Sequence, residues 1–248
     1  MTLNDFFARY PRVAIAFSGG VDSAYLLYAA TRYARAVQAY YVKSDFQPQF
    51  ELEDALRLAE DMHAALKVLR VDVLSDAQVT ANPPNRCYFC KRRIFETIRA
   101  QAAADGFSVL LDGTNASDDV NDRPGVRALE ELSVLSPLRM CSLTKDEIRR
   151  LSKEAGLFTW DKPAYACLAT RIPSGDAITL EKLQATERAE GALFAMGFRD
   201  FRVRRMGDAA KLQLREDQLN MALANRERIL SALRGDYSAV LLDLEVRK

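Results

Sequence analysis

Histidine is nearly absent from this chain of 248 residues, where His63 is the only one. Catalysis by paired histidines is thereby excluded. An excess of either charge is missing too: 35 Lys and Arg stand against 34 Asp and Glu, for a net charge of +1. That balance gives no broad electrostatic case for nucleic acid or an anionic membrane, although a local basic patch can hide inside a balanced total. Long apolar runs are also lacking. The opening stretch MTLNDFFARYPRVAIAF holds only the run 13–17, far too short for a signal-peptide core or a membrane span, and the sequence reads as cytoplasmic. No internal repeat or low-complexity tract is present.

A length near 250 fits one large or two modest domains of about 100 to 200 residues each, and 49% hydrophobic residues suffice for a buried core. Intrinsic disorder is therefore excluded. Residues 13–17 form a short β-branched run that stops at Ser18-Gly19-Gly20, and a periodic apolar segment follows over 21–33. This pattern predicts strand, glycine turn, helix. Further strands are predicted at 36–42, 66–71, 109–111 and 134–135, with helices over 51–63 and 91–103 between them. Such alternation predicts an α/β fold with a doubly wound parallel sheet. Thr144-Lys145-Asp146-Glu147 has capping-box spacing and Gly156 stands where a C-terminal cap glycine belongs, which predicts a helix over 144–155. Beyond Pro173-Ser174-Gly175 the pattern changes to a helix over 180–196, strands at 201–205 and 211–214, a helix over 216–233 and a strand at 239–244. A boundary is expected near Ser174, between a larger domain, 1–174, and a small α+β domain, 175–248.

Ser18-Gly19-Gly20-Val21-Asp22-Ser23 lies between a buried strand and a helix, so that backbone N–H groups, two hydroxyls and the helix dipole converge on one anion. A polyphosphate fits such a loop. The Gly-Lys-[Ser/Thr] of the P-loop kinases and GTPases is missing, and with it the lysine that clamps a γ-phosphate. The alternative is an ordinary tight turn of small residues. Ser18, Gly19, Gly20, Asp22 and Ser23 match every fixed position of the Ser-Gly-Gly-x-Asp-Ser pattern of the PP-loop ATP pyrophosphatases, which the chain resembles here. The resemblance implies that ATP, with Mg2+, is cleaved between its α- and β-phosphates. Pyrophosphate would stay on the loop while AMP activates a carboxylate or carbonyl oxygen. It also places Ala16 and the Ser44 region beside the adenine. Gly113 and Asn115 of Asp112-Gly113-Thr114-Asn115 would close over the nucleotide, with Arg123 of Arg123-Pro124-Gly125. Taken alone, Asp112-Gly113 also reads as a simple turn.

Four cysteines remain. Cys87 and Cys90 form a Cys-x-x-Cys at the head of a helix, Cys167 precedes Leu168-Ala169-Thr170-Arg171, and Cys141 stands apart. In a reducing compartment such cysteines serve more often as metal ligands or reactive thiols than as disulfides. A lone Cys-x-x-Cys also reads as half of a zinc site or as two buried thiols. Cys141 reads as a small buried hydrophobe, and a fourth ligand is the lesser alternative. His63 reads as a helix-terminal or surface residue.

Three stretches together resemble the LarE family, the ATP-dependent sulfur transferases that build the nickel-pincer nucleotide cofactor. They are Arg86-Cys87-Tyr88-Phe89-Cys90-Lys91-Arg92, the segment from Asp112-Gly113-Thr114-Asn115 to Arg123-Pro124-Gly125, and the run from Lys162-Pro163 through Cys167 and Arg171 to Ile172-Pro173. The likeness extends over nearly the whole chain. It implies adenylation of a carboxylate of pyridinium-3,5-biscarboxylic acid mononucleotide, followed by attack of sulfide to give the thiocarboxylate. It also implies that Cys167 is the sulfur-bearing position. With Cys87 and Cys90 also present, a three-cysteine [4Fe-4S] cluster that passes on sulfide is favoured over a sacrificial route. In the latter, Cys167 gives up its own sulfur and becomes dehydroalanine. Arg171 is the first candidate for stabilising developing charge, and the resemblance places Glu190, Arg202 and Arg204 near the substrate phosphate or a metal. For each of these three the alternative is a solvated charged face. Gln213 stands where the family has an acidic residue, which weakens the case for a second metal. Homo-trimers or hexamers are implied.

Three other readings remain. A tRNA thiolase shares the loop, yet no RNA-binding module or zinc finger is evident, and phosphate contacts need an excess of Lys and Arg on one face. An amidating PP-loop enzyme leaves the cysteines without a purpose. A non-catalytic nucleotide or redox sensor predicts ATP binding without pyrophosphate release.

Overall fold

In the computed structural model, which describes residues 1–119 and 124–247, the chain divides into two compact units. One comprises residues 1–73 and 85–162, the other 74–84 and 163–248. The division falls at Lys162–Pro163 rather than at Ser174. Residues 163–174 fold with the second unit because Arg171 pairs with Glu190 and Arg202 and Arg204 donate to the Ala164 and Thr170 carbonyls. Residues 74–84 join them through buried Asn82, whose amide donates to the carbonyls of Ile172, Pro173 and Asp176 at 3.4, 2.7 and 3.1 Å. The turn that looked like a linker is thereby pinned inside the second unit.

The first unit begins with α1 (Leu3–Arg9), β1 (Arg12–Ala16), α2 (Val21–Tyr33), β2 (Ala36–Lys43), α3 (Gln49–Asp61) and β3 (Leu66–Arg70). After α4 (Ala77–Thr80), which belongs to the second unit, it resumes with α5 (Arg86–Ala104), β4 (Leu110–Leu111), α6 (Pro124–Glu131), α7 (Pro137–Met140) and α8 (Lys145–Glu154). Its four strands pair in the order β3-β2-β1-β4, all parallel, as the alternating pattern predicts. Val13, Ala14 and Ile15 of β1 are wholly buried, as a central parallel strand covered on both faces requires. Phe6, Phe7, Leu26, Leu27 and Ile148 pack around them. The chain reverses its direction of sheet building between β1 and β4. In parallel sheets, the crevice beyond the C-terminal strand ends at such a reversal is where ligands bind.

The sequence pattern does not announce α4, α6 or α7, and two further details of the first unit depart from it. Helix α1 is an addition, signalled by Thr2 and Asp5, whose side chains and backbone N–H groups bond reciprocally in a capping box. The expected strand 134–135 is reduced to a single parallel bridge between Leu135 and Leu111, because Ser133 turns with a φ of +55° and Pro137 begins α7. The capping box of α8 is formed by Thr144 and Glu147, and Gly156 follows it with a φ of +73°. Exposed His63 lies just past the end of α3, also at positive φ.

The second unit holds α4, a 3-10 turn (Leu168–Arg171), α9 (Leu180–Ala195), β5 (Arg202–Met206), β6 (Ala209–Gln213), α10 (Leu219–Ala224), α11 (Arg226–Leu233) and β7 (Ala239–Leu242). Strands β5 and β6 are antiparallel and β6 and β7 parallel. They pack with α9 over Leu193, Phe198, Phe201, Val203 and Leu212. The single helix expected over 216–233 is broken, since Asn225 leaves helical geometry and its side chain donates to the Met221 carbonyl at 2.9 Å. Among the described residues, no helix is long and apolar enough to cross a membrane.

Candidate active site

The glycine loop leaves β1 and enters α2 through a geometry that its residues enforce. Gly19 takes a φ of +72°, and a Cβ there would lie 3.2 Å from the Ala55 Cβ, so both conformation and space call for glycine. Ser18 N–H donates to Ser23 Oγ at 3.2 Å, the two hydroxyl oxygens lie 3.0 Å apart, and Ser23 Oγ donates to the Gly20 carbonyl at 3.1 Å. Gly20 caps α2 without a side chain, and Val21 turns its own into the core. The first-turn N–H groups of Val21, Asp22 and Ser23 have no acceptor within the helix, which together with the helix dipole makes an anion site.

The turn after β4 forms the facing wall. A Cβ on Gly113 would stand 3.0 Å from Ser23 N, so glycine is what lets this turn approach the loop so closely. Asn115 donates to Asp22 Oδ1 at 3.2 Å, and Lys145 reaches Asp22 Oδ2 at 2.5 Å. Asp112 is buried, with Ser136 and Thr114 donating to its two oxygens. Between the walls lies a pocket of about 330 Å³ lined by Ala16, Ser18, Gly20, Asp22, Ser23 and Gly113, among others.

Asn115 acts on this pocket through Asp22, and Gly19 faces α3. Ser44 is buried at the end of β2, where its hydroxyl donates to Gln47 Oε1 at 2.7 Å. Arg123 lies outside the described residues. Lys145 escaped the sequence reading. Its signal is a cation in the first turn of α8, where a positive charge opposes the helix dipole unless an anion such as Asp22 answers it.

In the second unit, Cys167 caps the 3-10 turn and Arg171 ends it. Arg171 and Glu190 are 1% and 2% exposed and form a two-pronged ion pair, Nε to Oε1 at 2.7 Å and Nη2 to Oε2 at 3.1 Å. The remaining nitrogen of Arg171 donates to the carbonyls of Ala166 and Cys167 and to Thr170 Oγ1, at 3.0, 3.4 and 2.7 Å. Glu190 also accepts from Tyr165 Oη at 2.5 Å and Val203 N at 2.9 Å. Burial works against the Arg171 charge, but its bonds to Glu190 outweigh burial and hold the guanidinium above its ordinary value.

Arg202 donates to the carbonyls of Phe201 and Ala164, and Arg204 donates to the Thr170 carbonyl and Gln213 Oε1. Burial first, and then the charges of Arg171 and Arg247, push Arg202 down to about 10 and lower Arg204 as well. Glu190, Asp200 and Asp243 offset those charges only in part, so the two desolvated cations keep a field that an anion would relieve.

None of the four cysteines is disulfide-bonded. Cys87 and Cys90 lie in the first turns of α5, three residues apart and so on one face. Cys167 belongs to the other unit. Among the described residues, no group of three or more His, Cys, Asp or Glu is arranged to hold a metal ion. Neither unit by itself therefore fits a three-thiolate cluster. Cys141 packs against the first core, where burial pushes its thiol up.

No family model matches the chain. An uncharacterised protein of Synechocystis sp. is 39% identical over 221 residues, 88% of this chain and 81% of that one. Pyridinium-3,5-bisthiocarboxylic acid mononucleotide synthase of Lactiplantibacillus plantarum is 31% identical over 236 residues, 94% of this chain and 86% of the synthase. The tRNA-specific 2-thiouridylase MnmA of Pseudothermotoga lettingae is 27% identical over 222 residues, 74% of this chain and 62% of that protein.

Proposed function

The chain belongs to the LarE family of sulfur-transferring enzymes within the PP-loop ATP pyrophosphatase superfamily, and from that membership we propose that it converts pyridinium-3,5-biscarboxylic acid mononucleotide to its thiocarboxylate for nickel-pincer cofactor synthesis. The observation that carries this reading is the Ser18–Ser23 loop, facing the Asp112–Asn115 turn across a pocket with the helix start of α2 at its wall.

A carboxylate resists nucleophiles because its carbon is shielded by negative charge and oxide is a very poor leaving group. ATP removes that obstacle. A substrate carboxylate oxygen attacks the α-phosphorus, the bond from that phosphorus to the bridging oxygen breaks, and pyrophosphate leaves onto the loop. Its new charge meets the N–H groups of α2 and the Ser18 and Ser23 hydroxyls. A sulfur nucleophile then adds to the activated carbonyl, and AMP departs with the electrons of the C–O bond.

Cys87, Cys90 and Cys167 would together hold a [4Fe-4S] cluster, which when bound would supply the sulfide that adds to the activated carbonyl. The second reading rests on Cys167 alone. Its thiolate would displace AMP to form a thioester, and loss of the Cα proton would then release the thiocarboxylate and leave dehydroalanine.

Arg202 and Arg204 suit the substrate phosphate, since an anion would relieve the repulsion each feels from Arg171 and Arg247. Arg171 and Glu190 fix the backbone that bears Cys167, which makes them positioning residues. A homo-trimer or hexamer in the cytoplasm is the assembly we favour on family likeness, to be read by light scattering.

Anaerobic reconstitution with iron and sulfide, then ATP and the biscarboxylic mononucleotide, tests the reading. Repeated turnover with Cys167 intact is the expected result. One turnover with Cys167 converted to dehydroalanine would replace the cluster route by the sacrificial one. Thiolation of tRNA but not of the mononucleotide would overturn the substrate, and ATP binding without pyrophosphate release would indicate a sensor.

A further inference from the structure

The glycine loop has no lysine of its own, yet a cation stands in its pocket. Lys91, on α5, lines that pocket together with Ser18, Gly20, Asp22, Ser23 and Asp112. Phe95 lines it too, and the four-residue spacing puts both side chains on one face of the helix. The Lys91 side chain passes close to Gly125. A Cβ at Gly125 would lie 2.7 Å from the Lys91 Cδ, 3.0 Å from its Cε and 3.3 Å from its Nζ. A side chain there would have to displace the flexible end of Lys91, so glycine leaves room for the lysine methylenes to run along the start of α6.

The carboxylates of the same pocket are already engaged. Asp22 accepts from Asn115 at one oxygen and from Lys145 at the other. Asp112 accepts from Ser136 and Thr114, and Asp118, which also lines the pocket, accepts from the Asn115 N–H at 3.0 Å. Among the described residues, the Lys91 ammonium has no hydrogen-bond or ion-pair partner. A positive charge therefore lines the same cavity as a loop built to hold an anion.

We propose that Lys91 is the phosphate-binding cation of this site, donating to a non-bridging oxygen of the ATP triphosphate held by the Ser18–Ser23 loop. The proposal rests on the reading of the pocket as the ATP site. It places the missing clamp on a different element, directly after Cys90, so that one helix start carries both the thiol pair and the nucleotide's counter-charge.

Calorimetric titration of the full chain with ATP and with pyrophosphate tests it, alongside the thiolation assay. K91Q should weaken ATP binding by at least about tenfold, the scale of one lost charge-assisted bond. K91R should restore affinity to within about threefold, because it keeps the charge. On the wild-type protein, ATP should slow acylation of Lys91 by an amine-reactive reagent at least about fivefold, as for a charge-assisted contact, read by mass spectrometry. This readout is independent of whether K91Q folds. Wild-type ATP affinity in folded K91Q, or no protection of Lys91 by ATP, overturns the proposal and leaves the proposed function standing. A wild-type protein that binds no ATP overturns both.

Discussion

Asp22 keeps its place in the nucleotide loop through Asn115 and Lys145, two residues that the loop motif does not contain. Lys145→Met should therefore raise the KM for ATP while moving stability by less than about 1 kcal/mol, because the Lys145–Asp22 pair is partly exposed and screened. A steady-state assay and a urea melt separate the two effects. Among the thiols, Cys87 is exposed, whereas burial raises the pKa of Cys141. A raised pKa leaves less thiolate at a given pH, so iodoacetamide at neutral pH should label Cys87 well before Cys141 in a mass-spectrometric time course. Faster labelling of Cys141 would contradict its place against the core. Glu190 is the partner whose loss should cost most. Glu190→Gln leaves the Arg171 guanidinium buried without its counter-charge, and removing one member of such a pair destabilises by about 3 to 5 kcal/mol. A urea melt reads that loss, and pyrophosphate release that outlasts thiolation would mark the residue as positioning Cys167.

The elements most legible in the sequence are those whose signal is local. The run 13–17, the Ser18-Gly19-Gly20 stop and the Thr144/Glu147 capping box predict β1, α2 and α8, and all three form. What the sequence hides is long-range. The tie of Asn82 to the turn around Pro173 joins residues some ninety positions apart, and no periodicity announces it. The break at Asn225 and the reduction of 134–135 to one bridge are decided by side-chain competition and a following proline. At the site, Ser18, Asp22, Ser23 and Gly113 can be read from motif and spacing. Lys91 and Lys145 look like ordinary helix-surface lysines until the fold turns them toward the loop. Asn82→Ala removes the amide bonds to three carbonyls, so it should destabilise by about 1 to 3 kcal/mol. Denaturant titration followed by intrinsic fluorescence measures it, and an unchanged midpoint would deny the tether.

For the whole molecule, two separate cores suit the proposed division of labour, in which one unit would bind and cleave ATP and the other would carry Cys167 and a field suited to a substrate anion. Hydrogen exchange with and without ATP should show added protection at residues 18–23, at 112–115 and at the start of α5, with β5 to β7 unchanged. The central claim is that cleavage between the α- and β-phosphates of ATP is coupled to sulfur insertion into a small nucleotide. Phosphorus NMR of the anaerobic reaction, with the thiolated product quantified in the same sample, tests it most directly. The account predicts AMP and pyrophosphate in equal amounts, one of each for every carboxylate converted. ADP with inorganic phosphate, or AMP and pyrophosphate formed without any thiocarboxylate, would contradict it.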